Sequence, residues 1–96
     1  MARYLRVSAD QIPLGRTALL LFVHHDQLCA GAIEHRCDGR LDRRVPDDPS
    51  PNDLVLGICR LMADLPPDAD LMVVLEPRAY WPSAFPRLHT HQTNDK

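Results

Sequence analysis

No stretch of this chain approaches the ~20 consecutive apolar residues that a membrane-spanning helix needs. The opening Met1-Ala2-Arg3-Tyr4-Leu5-Arg6-Val7 lacks the apolar centre of a secretion signal. No membrane association is expected, and the expected location is cytoplasmic. Cysteine is scarce and odd in number: Cys29, Cys37 and Cys59, with no Cys-x-x-Cys pair. That argues against a disulfide scaffold and for reduced thiols. Glycine is sparse and scattered, at Gly15, Gly31, Gly39 and Gly57, so no phosphate-cradling loop is present. Neither charge sign dominates: 11 basic and 13 acidic side chains give a net −2. Such a balance makes nucleic acid an unlikely partner. Arg36, Arg40, Arg43 and Arg44 cluster, but Asp38, Asp42, Asp47 and Asp48 lie among them and cancel the local field. No internal repeat occurs, no Ser or Cys sits in a nucleophile context, and no cofactor is expected.

Two short segments are almost continuously apolar: Thr17 to Val23 and Leu71 to Leu75. They are too short for buried helices and too continuous for half-wet strands, so they read as strands covered on both faces. Ala2 to Val7 reads as a further short strand, and Ser8 to Arg16, with Pro13 and Gly15, as a loop. Thr17 to His24 runs into a polar hairpin turn at His25-Asp26-Gln27, followed by a strand from Leu28 to Cys37. Small residues at Ala30, Gly31 and Ala32 let a neighbour approach that strand closely. Asp38-Gly39 signals a type I′ turn, and the charged segment Arg40 to Val45 reads as an edge strand.

One helix is expected, from about Pro51 to Asp64. Ser50 is a good N-cap, Pro51 fits the first helical position, and Asp53 supplies the acid of a capping box. Leu54, Ile58, Leu61, Met62 and Leu65 form its apolar stripe. Gly57 allows close packing on the small residues of the second confident strand, and Pro66-Pro67 end the helix. The strand Leu71 to Leu75 then follows a crossover, which can set it parallel to a neighbour. Arg78 to His89 is rich in proline and in aromatic residues without periodicity.

These elements predict an α+β domain over residues 1–88, with a polar, flexible tail at 89–96. Its sheet is four- or five-stranded, mixed and mainly antiparallel, in the order β-β-β-α-β. One helix covers one face. Leu19, Leu21 and Val23 point to one side of the sheet, and Ala18, Leu20 and Phe22 to the other. A single helix leaves the second side open, and each large side chain left wet forgoes about 1.5–3 kcal/mol. The missing cover is expected from the C-terminal segment or from a second copy of the chain.

Four constellations carry candidate chemistry. His24, His25 and Asp26 end a strand, where sites often form, although alternation sends the two imidazoles to opposite faces. His35 and Cys37 share one strand face and are the weak candidates for metal ligands. Tyr80, Trp81 and Phe85, set among prolines, are the candidate partner-binding residues, because aromatic groups enrich interface cores. Asp26, Asp53 and Glu76 are the candidate catalytic acids. Over about Thr17 to Glu76 the element order resembles the opening half of an RNase H-like domain. That resemblance implies phosphodiester hydrolysis by two divalent metals held by acids at these three places. Asp26 departs from the family pattern in lying at the strand end rather than within it. The function expected first is a small non-enzymatic interaction or regulatory module, self-associating through the apolar sheet face and the aromatic segment. The metal-dependent nuclease is the alternative.

Overall fold

The computed structural model describes residues 3–66 and 68–90. Six strands, one α-helix and one 3-10 turn follow in the order β1 (Tyr4–Arg6), the turn Ala9–Gln11, β2 (Thr17–His24), β3 (Gln27–His35), β4 (Leu41–Arg44), α1 (Asp53–Ala63), β5 (Leu71–Leu75) and β6 (Leu88–Thr90). The α+β class and the single helix agree with the sequence. The sheet is larger than expected, with the order β4-β3-β2-β5-β1-β6. It is also less antiparallel. β2–β3 and β3–β4 run antiparallel, whereas β2–β5, β1–β5 and β1–β6 are parallel. β6 crosses the boundary drawn at residue 88, so residues 89 and 90 belong to the sheet; the rest of the expected flexible tail, 91–96, lies outside the described residues. Among the described residues no helix is long and apolar enough to cross a membrane.

Local chemistry explains the elements. The first turn before α1 opens at Ser50: its N–H donates to Asp53 Oδ2 at 2.8 Å, and its Oγ accepts from Asn52 N–H at 3.3 Å. Only half of the expected capping box is made, the Asp53 carboxylate on the Ser50 N–H. The helix proper starts two residues later than expected, at Asp53, with Asn52 rather than Ser50 at its N-cap. The β3–β4 connection differs from a two-residue turn. Arg36 N–H donates to Arg40 O, Gly39 N–H donates to Arg36 O, and Gly39 sits at φ +91°. That is a three-residue loop with glycine at the left-handed position.

The cover of the two faces is the main surprise. On one face Leu19, Leu21, Ala30 and Val73 pack under Leu54, Ile58 and Leu61 of α1, and also under Ala79, Trp81 and Phe85. Helix and aromatic segment thus share a side. On the other face Ala18, Leu20, Phe22, Cys29, Ile33, Met72 and Val74 pack under Val7, Ala9 and Ile12 from the β1–β2 connection. The segment read as a plain loop is the second lid.

Crossover handedness gives the reason. The chain moves through α1 from β4 past β3 and β2 to the parallel β5, and from β5 past β1 to β6, in one direction across the sheet; from β1 past β5 to β2 it moves in the other. Parallel strands linked with one hand place connections running in opposite directions on opposite faces. α1 and the aromatic segment therefore lie together, and the β1–β2 connection lies opposite them. Both sides of the sheet are closed within a single chain, without the second copy that the sequence suggested as one source of cover.

Candidate functional site

The carboxyl ends of β2 and β5 meet at one corner. His25 and Asp26 adopt φ +51° and +63°, the signature of a type I′ turn closing the His24–Gln27 pair. Beside them, Ala79 N–H donates to Glu76 O at 2.9 Å while Arg78 sits at φ +75°, as a type II turn requires. Three left-handed residues other than glycine are thereby gathered. The left-handed backbone also overrides strand alternation: the His24 and His25 rings meet edge to face with centroids 4.1 Å apart. An Arg78–Asp26 pair at 3.0 Å joins the turns, but its side chains are 70% and 90% exposed, so it contributes little. Replacing His25-Asp26 by Asn-Gly is expected to stabilise the fold by about 1 kcal/mol, because both new residues suit the turn. A urea midpoint that fails to rise would mean the strain is absent.

The three candidate acids have separate employments. Asp26 bonds Arg78, and Asp53 accepts from Ser50 N–H at the start of α1. Glu76 forms a two-point bond to Arg43, at 2.8 and 2.9 Å. That guanidinium lies 5.3 Å from the Phe22 ring centroid, within cation–π range. The Arg43–Glu76 pair therefore extends the cover of the second face over Phe22. Among the described residues no three His, Cys, Asp or Glu side chains gather closely enough to hold a metal ion. The convergence that two-metal hydrolysis requires is not built by Asp26, Asp53 and Glu76.

His35 and Cys37 also part company. The His35 Nδ1–H donates to Ile12 O, while its backbone bonds Arg16 and Gly15. His35 thus ties the β1–β2 lid to β3. Cys37 is exposed beside Gly15. Cys29 is buried, and burial pushes its thiol pKa up.

The aromatic segment divides. Trp81 and Phe85 are half-buried. Trp81 lies 5.1 Å from Tyr4 and 5.4 Å from Phe85 between ring centroids, and its Nε1–H donates to Pro86 O at 2.8 Å. Tyr80 is exposed. Together with α1 the segment forms a shallow apolar groove of about 180 Å³, lined by Tyr4, Val55, Ile58, Cys59, Phe85 and Pro86. Trp81→Ala is expected to cost about 2 kcal/mol, less than a fully buried tryptophan would. An unchanged melting temperature would show that the segment adds nothing to the fold.

A larger cleft of about 280 Å³ separates α1 from the β3–β4 hairpin. Ala30, Gly31 and Ala32 form its floor, Leu56 and Leu61 an apolar wall, and Arg44, Arg60 and Asp53 its polar margin, with Val45 and Pro46 at the end of β4 also lining it. Its origin is the run of small residues on β3. Gly57 packs close, since a Cβ there would stand 3.2 Å from Leu19 Cδ1 and 3.9 Å from Ala30 Cβ. Beyond Gly57 the helix leaves room for the cleft. Val45 and Leu56 are 37% and 53% exposed.

Sequence reading singled out none of the residues of β4 as a site. The signal was the alternation Leu41, Asp42, Arg43, Arg44, Val45, in which every second residue shares a face. No family model, curated protein or solved structure matches the chain.

Proposed function

We propose that this chain is a small non-enzymatic interaction module of the cytoplasm that associates with a second copy of itself. The supporting observation is the exposed apolar surface on the β4 side of the molecule. Leu41 of the outer strand and Val45 just after it, 47% and 37% exposed, lie on one face of the sheet, and Leu56 of α1 is exposed on the other. Grouped apolar exposure at a sheet edge is the kind of surface that a partner covers. The exposed Tyr80, on the half-buried base of Trp81 and Phe85, is proposed as a further contact. Free thiols at Cys29, Cys37 and Cys59 support a reducing compartment.

Sedimentation equilibrium tests this reading. Over about 1 μM to 1 mM, a span of roughly 4 kcal/mol in affinity, the mass is expected to rise from 10.9 kDa towards twice that value. A mass constant at the single-chain value throughout would refute it.

A further inference from the structure

We infer that the second copy docks on the free edge of β4, the two β4 strands running antiparallel about a two-fold axis at Arg43. This rests on the self-associating reading above and gives it a register.

β4 is an outer strand of the sheet. The Arg36 N–H···O Arg40 bond at 2.7 Å fixes which of its groups point where. Antiparallel strands alternate bonded and non-bonded pairs, and β3 pairs Glu34 with Asp42 and Ala32 with Arg44. Asp42 and Arg44 therefore spend their backbone groups on β3, while those of Leu41 and Arg43 point outward. An incoming strand must bond through these outward residues. A dyad at Arg43 supplies them from both copies and makes the interface isologous.

In this register Asp42 of each copy stands opposite Arg44 of the other, at non-bonded positions where side chains approach most closely. On the opposite sheet face Leu41 of each copy approaches Val45 of the other. Moving the register by two residues, the smallest step that keeps outward groups facing, sets Asp42 against Asp42 or Arg44 against Arg44. Both are unfavourable. The segment is thus self-complementary in a single register. Arg43 meets its own copy at the axis, but its guanidinium is drawn inward over Phe22 by Glu76 and arrives paired. Arg44 is bonded within its own chain to Asp42 and Glu34. Arg44 is 59% exposed in these pairs and its partners Glu34 and Asp42 28% and 36%, so solvent screens them and re-bridging across the axis costs little. Four-residue strands bury less than a permanent complex needs, so the association is concentration-dependent.

Charge reversal tests the register. Asp42→Arg and Arg44→Asp each set like charges opposite one another at two positions. Each is expected to raise the dimer dissociation constant about tenfold or more. An equimolar mixture of the two variants faces Arg with Asp at both positions, so it should associate again. The double variant D42R/R44D should associate like the natural chain. Sedimentation velocity reads all four, and thermal melts of dilute samples show whether each variant is folded. If the natural chain dimerises while both folded single variants dimerise equally well, the β4 register is wrong and self-association uses another surface. If the single variants are monomeric and neither the mixture nor the folded double variant recovers, the charge pairing is wrong. A natural chain that stays monomeric overturns the functional reading itself.

Discussion

Gly31→Ala is expected to destabilise the fold by about 3 kcal/mol and to loosen β4 from the sheet. A Cβ at Gly31 would stand 2.4 Å from Arg44 O, 2.9 Å from Val45 Cγ1 and 3.2 Å from Val45 Cα. The first and last of these are backbone atoms. A side chain can rotate out of such a clash, but a carbonyl oxygen held in a strand ladder cannot. Relief requires β4 to move away from β3, with loss of the Ala32–Arg44 pairing at the end of that ladder. Overpacking typically costs 1–3 kcal/mol, and a clash with backbone belongs at the upper end of that range, at about 3.

Gly57→Ala provides the internal control. There the nearest atom is the end of a flexible leucine, Leu19 Cδ1 at 3.2 Å. The gain in helix propensity, ~1 kcal/mol, offsets the small adjustment required. Urea denaturation should separate the two variants clearly, and amide exchange at Asp42 and Arg44 should rise only in Gly31→Ala. Equal stability of the two would mean that β4 does not lie where the clash requires. Because the inferred dimer uses the free edge of β4, Gly31→Ala should also abolish association, whereas Gly57→Ala should not.

Much of the architecture was legible because it is written in local chemistry. The apolar runs of β2 and β5 needed cover on both faces, and both faces are covered. Ser50, Pro51 and Asp53 marked the start of the helix to within two residues, although its N-cap is Asn52 rather than Ser50, and the charges of Arg40 to Val45 marked an edge. Two things were not legible. Strand β6, of three residues within the aromatic, proline-rich segment, is too short for periodicity to reveal, and the strand read at Ala2 to Val7, which is β1, carried no sign of its place between β5 and β6. The side on which each connection lies depends on strand order, which no local pattern contains. Once strand order is known, handedness alone assigns the aromatic segment to the helix side and the β1–β2 connection to the other. The candidate acids were misleading for a related reason. A carboxylate at a strand or helix end has the same appearance in sequence whether it binds metal, caps a helix or answers an arginine. Arg78 and Arg43, which answer Asp26 and Glu76, lie 52 and 33 residues away from them along the chain.

Ile12→Ala is the other substitution with a large expected effect, about 3 kcal/mol. Ile12 is 1% exposed although it lies in a connection rather than in a strand or helix of the sheet layer. It belongs to the cluster that includes Leu20, Phe22, Met72 and Val74, and its carbonyl accepts the His35 Nδ1–H. Truncation leaves a cavity between lid and sheet. The lid is held otherwise by Val7, Ala9 and a few backbone bonds, so the remaining side chains have little capacity to collapse into the gap. A domain of this size has a net stability of only about 5–10 kcal/mol, so the loss is a large fraction of the whole. Ile12→Val should cost only about 1 kcal/mol, since it removes a single methyl group. Guanidinium denaturation of the two variants at a concentration where the chain is monomeric makes the comparison. A loss under ~1 kcal/mol for Ile12→Ala would mean that the second sheet face draws its cover from something other than its own chain. In that case the apolar face, rather than the β4 edge, would become the surface on which a second copy sits.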